Sequence, residues 1–181
     1  MSTPVSTTPY QAFSRWLHWI SLPLVGVLLG LGWYMTALPL GLERFQTFNL
    51  HKSLGALLLI VTVIRLGYRL LRPSPAHPAK GLQQTLAHLG HVGLYLCLFG
   101  LPLSGWLLSN AAGYPVSLFD LLELPGLIAE QETRVDPLTL LHKALIWLLC
   151  LLLGGHLLAV FWHQWIKKDS TLSRMWPSIR S

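Results

Sequence analysis

Four long, predominantly apolar stretches occupy most of this 181-residue chain and restrict what it can fold into. A membrane-spanning helix needs about 20 such residues. The segments that meet this length lie at about 15–38, 51–71, 88–109 and 138–166. Only 11% of the residues are charged, against about 25% in an ordinary soluble domain. The sequence therefore predicts an all-α integral membrane four-helix bundle, with residues 1–181 forming a single domain.

Several other classes of protein do not suit this pattern. Alternating strands of the kind that build outer-membrane barrels are absent from the sequence. The first apolar stretch is too long for a signal peptide and no small-x-small cleavage site follows it, so we interpret it as an uncleaved membrane anchor. The basic residues are scattered between apolar runs, which does not favour nucleic-acid binding despite the net charge of +6. The chain has two cysteines and no Cys-x-x-Cys-His motif, which excludes covalent c-type haem attachment.

The distribution of charge predicts an orientation. Lysines and arginines collect on the side that carries the N-terminus, the second connection and the C-terminal tail, whereas all acids but Asp169 fall on the other side. Because positive loops stay inside, we expect both termini to be cytoplasmic and the helices to be surrounded by membrane lipid. The long loop at 110–137 then faces outward. Within it, residues 116–124 are expected to form a short interfacial turn of helix.

The eight histidines are the second unusual feature, and their expected depths form pairs. His142 and His156 lie about 21 Å apart along the fourth helix and within about 40° of the same face. His51 matches His142 near the outer face, and His18 matches His156 near the inner face. Two opposed imidazoles at one level can hold a haem iron from both sides, and bundle interiors commonly bind such cofactors.

The pairing therefore predicts two non-covalent haems b, ligated by His18 and His156 at the inner level and by His51 and His142 at the outer level. Gly55, Gly154 and Gly155 would leave room for flat macrocycles. A single intramembrane histidine can instead form a hydrogen bond to a neighbouring helix. Zinc is a weaker rival, because its sites need a compact cluster of three or four ligands.

The remaining histidines and some cations have more open roles. His88 and His91 share a helix face and could replace an inner ligand, although a structural role is favoured. His163 follows His156 at helical spacing and indicates either a proton-coupled site beside the inner haem or an interfacial residue. His77 lies among prolines and is expected to be solvated. Lys52 and Lys143 are expected to pair with propionates of the outer haem, and Arg65 and Arg69 either with those of the inner haem or with lipid phosphate.

Several segments together resemble the bacterial cytochrome b561 family: Arg15-Trp-Leu-His18-Trp, His51-Lys-Ser-Leu-Gly55, Ala87-His-Leu-Gly-His-Val-Gly-Leu-Tyr95, Gly155-His156 to His163, and Lys168-Asp-Ser-Thr-Leu-Ser-Arg-Met-Trp-Pro177. The resemblance covers essentially the whole chain in order. It implies four helices, two b-type haems on His18, His51, His142 and His156, and a quinone end near His163.

The resemblance also implies a function. The family's best-described activity is superoxide oxidation at the outer face coupled to ubiquinone reduction inside, which makes the chain an expected oxidoreductase or electron-transfer cytochrome. Related cytochromes serve as membrane subunits, so a haem-binding anchor for a periplasmic dehydrogenase or hydrogenase-like partner is a second hypothesis. A haem-free transporter or scaffold is a third. The sequence alone leaves the physiological donor open.

Overall fold

Four long helices dominate the computed structural model, which describes residues 10–72 and 81–176. They are α1 (Ala12–Ala37), α2 (Leu42–Leu71), α3 (Leu82–Ala111) and α4 (Val135–Phe161). Each is long and apolar enough to cross a membrane. The expected four-helix membrane architecture is therefore confirmed. His77 and its neighbouring prolines lie outside the described residues.

The helices extend beyond their apolar stretches, most clearly in α2. This helix begins at Leu42 rather than near residue 51. Its first turns carry the charged residues Glu43 and Arg44, so they are helical without belonging to the apolar stretch. Pro23 and Pro102 lie inside α1 and α3 without ending them. Membrane helices tolerate such prolines because neighbouring helices and local adjustments satisfy the freed backbone groups.

The helices pack in sequence, α1 against α2, α2 against α3 and α3 against α4. Glycines allow the closest of these approaches: a Cβ atom on Gly93 of α3 would lie 2.9 Å from Leu152 Cδ1 of α4, and one on Gly100 would lie 3.3 Å from Leu145 Cδ1. The pair α1 and α4 is different, since no two of their Cα atoms come within 8 Å of each other. The bundle is therefore tightly packed along three seams and wide along the fourth.

An apolar layer fills the middle of the bundle and is drawn from all four helices. Its buried members are Val25, Leu28, Leu58, Cys97, Leu98, Leu101 and Leu149. On α4, Leu149 lies midway between His142 and His156. The layer thus separates an upper and a lower group of histidines.

The first and last described parts of the chain, residues 10–19 and 174–176, meet at one end of the bundle. Tyr10 donates its backbone N–H to the Arg174 carbonyl, Arg15 Nη1 donates to the Trp176 carbonyl at 3.1 Å, and Trp19 Nε1 donates to the Met175 carbonyl at 2.7 Å. We call this the inner end and the opposite one the outer end. The shared location agrees with termini on one side of the membrane, while the cytoplasmic assignment stays a prediction.

A β-hairpin covers the outer end, formed by β1 (Ser117–Leu118) and β2 (Leu122–Glu123) in antiparallel pairing. The expected helical turn at 116–124 was therefore wrong. Phe119 and Asp120 have φ angles of 54° and 57°, a left-handed conformation that no right-handed helical turn allows. Ser53 on α2 fixes the hairpin, because its hydroxyl donates to the Ser117 carbonyl at 2.8 Å and accepts from the Phe119 N–H at 3.1 Å.

Candidate functional site

The inner histidine pair bridges the wide seam of the bundle. The ring centres of His18 on α1 and His156 on α4 are 6.3 Å apart, with planes inclined at 70°. Two imidazoles that bind one metal from opposite sides, each at a metal–nitrogen distance of about 2.0 Å, need ring centres roughly 6 Å apart. The side chains meet although the helix backbones do not approach. This spacing fits a planar cofactor held between the two rings.

A third imidazole lies at the same level. The ring of His91 on α3 is half-buried, and its centre is 5.6 Å from that of His156. Its helical neighbour His88 is exposed. The two histidines that sequence spacing placed together therefore differ in their surroundings, and only His91 lies at the inner site.

Two arginines of α2 give the inner site a strong positive charge. The guanidinium carbon of Arg65 lies 5.3 Å from the ring centre of Tyr95, and that of Arg69 lies 5.6 Å from it on the same ring. Within residues 10–72 and 81–176, no carboxylate lies at ion-pair distance from either arginine. Partly buried cations without a counter-ion favour an anion at this site. The two propionates of a haem meet that requirement.

One contact of Arg65 would have to change for His18 to bind iron through Nε2. Arg65 Nη2 lies 2.9 Å from His18 Nδ1. Because a guanidinium only donates hydrogen bonds, Nδ1 is the acceptor and the hydrogen of the neutral ring sits on Nε2. A neutral imidazole that binds iron through Nε2 carries its hydrogen on Nδ1 instead. The residues fit a haem once Arg65 has released His18, and a propionate is a better partner for it.

The outer pair consists of His51 on α2 and His142 on α4, which are close enough to interact electrostatically. Both rings are half-buried. His51 Nδ1 is buried and forms no hydrogen bond with any described residue. His142 Nδ1 lies 2.9 Å from the hydroxyl of Ser104. The structure thus brings together the two expected outer ligands, with a different environment for each.

The two outer rings also lie against glycines of neighbouring helices. A Cβ atom on Gly32 of α1 would be 3.4 Å from His51 Cε1, and one on Gly105 of α3 would be 3.3 Å from His142 Cε1. A bare backbone therefore limits the movement of each ring. Gly55, Gly154 and Gly155 border open space, since a Cβ atom on any of them would meet nothing within 4 Å, and their expected place beside the macrocycles stays a prediction.

The outer end carries a small cavity beside His51. It measures about 270 Å³ and is lined by Phe45, Asn49, Lys52, Tyr114, Pro115, Ser117, Asp120, Leu121 and Glu123. Lys52 donates to the Pro115 carbonyl at 2.8 Å, whereas Lys143 is exposed. One amino group and two carboxylates, those of Lys52, Asp120 and Glu123, therefore line this cavity.

His163 lies beyond the inner pair, in the final turn of the fourth helix. This turn, Trp162–Lys167, is a π-helix, a form that often occurs at functional sites. Lys168 then adopts a left-handed conformation with a φ of 52° and turns the chain back on itself. As a result, Asp169 Oδ2 lies 2.5 Å from His163 Nδ1, and Thr171 Oγ1 lies 3.3 Å from the same nitrogen.

Asp169 is a functional candidate that sequence reasoning missed. Partial burial raises the pKa of its carboxyl, but hydrogen bonds from Thr171 and His163 outweigh this effect and hold the pKa below its ordinary value. Asp169 therefore stays ionised and orients the His163 ring. The signal in the sequence was the isolated acid among cations at the inner end.

Comparison with known proteins gives one consistent result. The family model described as prokaryotic cytochrome b561 matches residues 9–178. The chain is 34% identical over 169 residues to "Cytochrome b561 homolog 2" of Escherichia coli strain K12, with 92% of this chain and 90% of that protein covered. It is 28% identical over 177 residues to "Probable superoxide oxidase CybB" of Yersinia pestis, with coverages of 94% and 97%.

Proposed function

Because the chain belongs to the prokaryotic cytochrome b561 family, we propose that it carries electrons from a periplasmic donor, superoxide, through two b-type haems to ubiquinone in the inner membrane. Membership itself establishes a bacterial membrane protein that binds b-type haem and takes part in electron transport. It also sets aside the hypothesis of a haem-free transporter or scaffold. The number of haems, their ligands, the donor and the quinone belong to the proposal.

The observation that carries the proposal is the arrangement of four histidines at two levels. His18 and His156 would hold the inner haem, and His51 and His142 the outer one. A bound haem supplies a one-electron carrier at each level, with a potential set by its ligands and surroundings. Arg65 and Arg69 would neutralise the inner propionates. The apolar layer around Leu149 excludes water between the levels.

We assign the transfer of protons at the quinone end to His163. Reduction of ubiquinone to ubiquinol takes two electrons and two protons, and oxidation of two superoxide ions to two molecules of oxygen supplies the electrons. His163 Nδ1 is held by Asp169, which leaves Nε2 to donate a proton to a quinone oxygen. The contact with Asp169 keeps the ring in one orientation, as general acid–base catalysis by a positioned side chain requires, and the donated proton is replaced from the cytoplasmic side.

A second function is favoured by the charge of the outer surface. Asp120, Glu123, Glu130, Glu132 and Asp136 are all exposed. Such a surface repels an anion such as superoxide and attracts a basic protein surface. On this hypothesis the chain is the electron-transfer subunit of a periplasmic dehydrogenase or hydrogenase-like partner.

Stopped-flow measurement on the purified protein separates the two functions. Under the proposed function, pulses of superoxide reduce the haems of the isolated protein and ubiquinone reoxidises them. Haems that superoxide leaves oxidised, in a protein that binds two haems, would contradict superoxide as donor and favour the partner hypothesis. Absence of a haem absorption spectrum from the purified protein would contradict both.

A further inference from the structure

Ser104 on α3 makes a pair of hydrogen bonds that defines its chemical role. Its side chain is buried, with an exposed fraction of 3%. Its hydroxyl donates to the Leu101 carbonyl of the same helix at 2.9 Å and lies 2.9 Å from His142 Nδ1. A serine hydroxyl has one hydrogen to give and two lone pairs that accept. Both contacts can be hydrogen bonds at the same time only if the hydroxyl gives its hydrogen to the Leu101 carbonyl and its oxygen accepts from His142 Nδ1.

This assignment fixes the tautomer of His142. A ring that donates from Nδ1 carries its hydrogen there, and the lone pair of the neutral ring is then on Nε2. That is the form that binds a metal through Nε2, and in other metal sites the same bond to the outer nitrogen orients the ring and raises its basicity. Ser104 therefore prepares His142 to act as an axial ligand.

The next residue restricts the same ring by shape. A Cβ atom on Gly105 would lie 3.3 Å from His142 Cε1, tighter than an ordinary contact. Two neighbouring residues of α3 thus restrain the His142 ring. Ser104 does so through a hydrogen bond, and Gly105 through the close approach of its backbone. His51 has a similar close approach, to Gly32 of α1, but no serine hydroxyl among the described residues bonds its Nδ1.

We propose that Ser104 is a positioning residue for the outer haem, which fixes the tautomer and orientation of His142 and lowers the midpoint potential of that haem. This inference rests on the proposed ligation by His142. A donor bond from Nδ1 increases the electron density on Nε2, which stabilises ferric over ferrous iron. At the inner site, the positive charge of Arg65 and Arg69 acts in the opposite direction. The two effects together favour movement of electrons from the outer to the inner level.

The test is a potentiometric titration of purified Ser104→Ala, followed by optical absorbance, in the wild-type and His18→Ala backgrounds. The His18→Ala background removes a proposed ligand of the inner haem, so the absorbance change that remains belongs to the outer haem. We expect the outer midpoint potential to rise and the inner one to stay unchanged, with Ser104→Thr restoring the original value. Ser21→Ala is the matched control, because Ser21 is a buried helical serine bonded to the Leu17 carbonyl of its own helix at 2.7 Å.

Different failures have different meanings. An unchanged outer potential in Ser104→Ala, with both haems retained, overturns the role of Ser104 and leaves the proposed function intact. A wild-type protein that binds no haem overturns the proposed function and this inference together. Selective loss of the outer haem from Ser104→Ala supports the positioning role.

If Ser104→Ala does not assemble, Gly105→Ala decides, because it retains the hydroxyl and displaces the ring. The expected result is a changed electron paramagnetic resonance signal of the ferric outer haem alone. A signal identical to that of the wild type overturns the proposal.

Discussion

The rings of His18 and His156 face each other with their centres 6.3 Å apart, although the helices that carry them have no Cα atoms within 8 Å of each other. Helices that pack directly on each other have axes about 8–10 Å apart, a separation that brings some of their Cα atoms closer together than 8 Å. The wide seam is therefore spanned by side chains rather than closed by packing. A flat cofactor between the rings would complete the contact between α1 and α4.

Substitution of either α4 histidine should remove one haem. We expect His156→Ala and His142→Ala each to lose about half of the haem absorbance of the wild type, since each removes one axial ligand of a different site. Haem content per protein, measured by the pyridine haemochrome assay, checks this. His88→Ala is the control, because His88 is exposed on α3. Full haem content in both α4 variants would contradict the assigned ligands.

Arg65→Gln should weaken the inner haem selectively. A hydrogen bond to a charged group contributes about 1.5–3 kcal/mol, so we expect about 10- to 100-fold weaker haem binding at this level. The midpoint potential of any inner haem that remains should fall, because a nearby positive charge favours the ferrous form. Haem titration of the apoprotein and potentiometry measure the two effects.

Arg44→Gln provides the comparison for Arg65→Gln. Arg44 lies over the ring of Phe48 at 5.6 Å, near the start of α2 and far from the inner histidines. We expect its loss to leave inner haem binding as it is in the wild type. Equal weakening by both substitutions would assign the effect to overall charge and contradict a local role of Arg65.

The four spans and the histidine pairing could be predicted from the sequence because both depend on periodicity along single helices. A run of apolar residues predicts a span, and the spacing of His142 and His156 predicts a common face. The role of Ser104 and the contact between Arg65 and His18 were different, since both depend on which helix lies beside which ring. The hairpin was mispredicted for a related reason: its backbone is fixed by Ser53, a residue more than sixty positions away in the sequence.

Asp169→Asn should slow the reduction of ubiquinone and spare the earlier steps. Loss of the carboxylate removes the group that orients His163. General acid catalysis by a positioned side chain contributes about 10²- to 10⁴-fold, so we expect a decrease of about tenfold or more in the rate of quinol formation. Haem content and reduction of the haems by dithionite should be unchanged.

Asp136→Asn, at an exposed carboxylate of the outer end, is the matched control for that measurement. It removes the same charge without a contact to His163. A quinone reductase rate for Asp169→Asn equal to that of Asp136→Asn would show that the carboxylate has no part in the reaction.

The Asp169 contacts should also determine how the inner end responds to acid. Because the pKa of this carboxyl is lowered in the folded protein, its contribution to stability is present above its ordinary value of about 3.9 and is lost as the pH falls through the folded pKa. The contribution of this carboxylate to the docking of the tail should therefore stay constant between about pH 5 and 8. Hydrogen exchange of residues 169–176 in the wild type and in Asp169→Asn measures it, and a difference between the two proteins that disappears between pH 7 and 5 would contradict this assignment.

Ser53→Ala should release the outer hairpin from α2. Ser53 is buried with an exposed fraction of 3%, and its hydroxyl makes both of the bonds that fix β1 and the left-handed residue Phe119. Leaving these backbone groups unpaired costs about 1–3 kcal/mol, and the left-handed conformation of Phe119 is itself unfavourable by about 1–3 kcal/mol. We expect faster hydrogen exchange at residues 117–123 and greater access of water to His51, two positions before Ser53.

Thr47→Ala serves as the control for Ser53→Ala, because the Thr47 hydroxyl donates to the Glu43 carbonyl of its own helix. Hairpin protection in Ser53→Ala that equals the wild-type value would mean that the strand pairing and Lys52 suffice to hold the cover over the outer site.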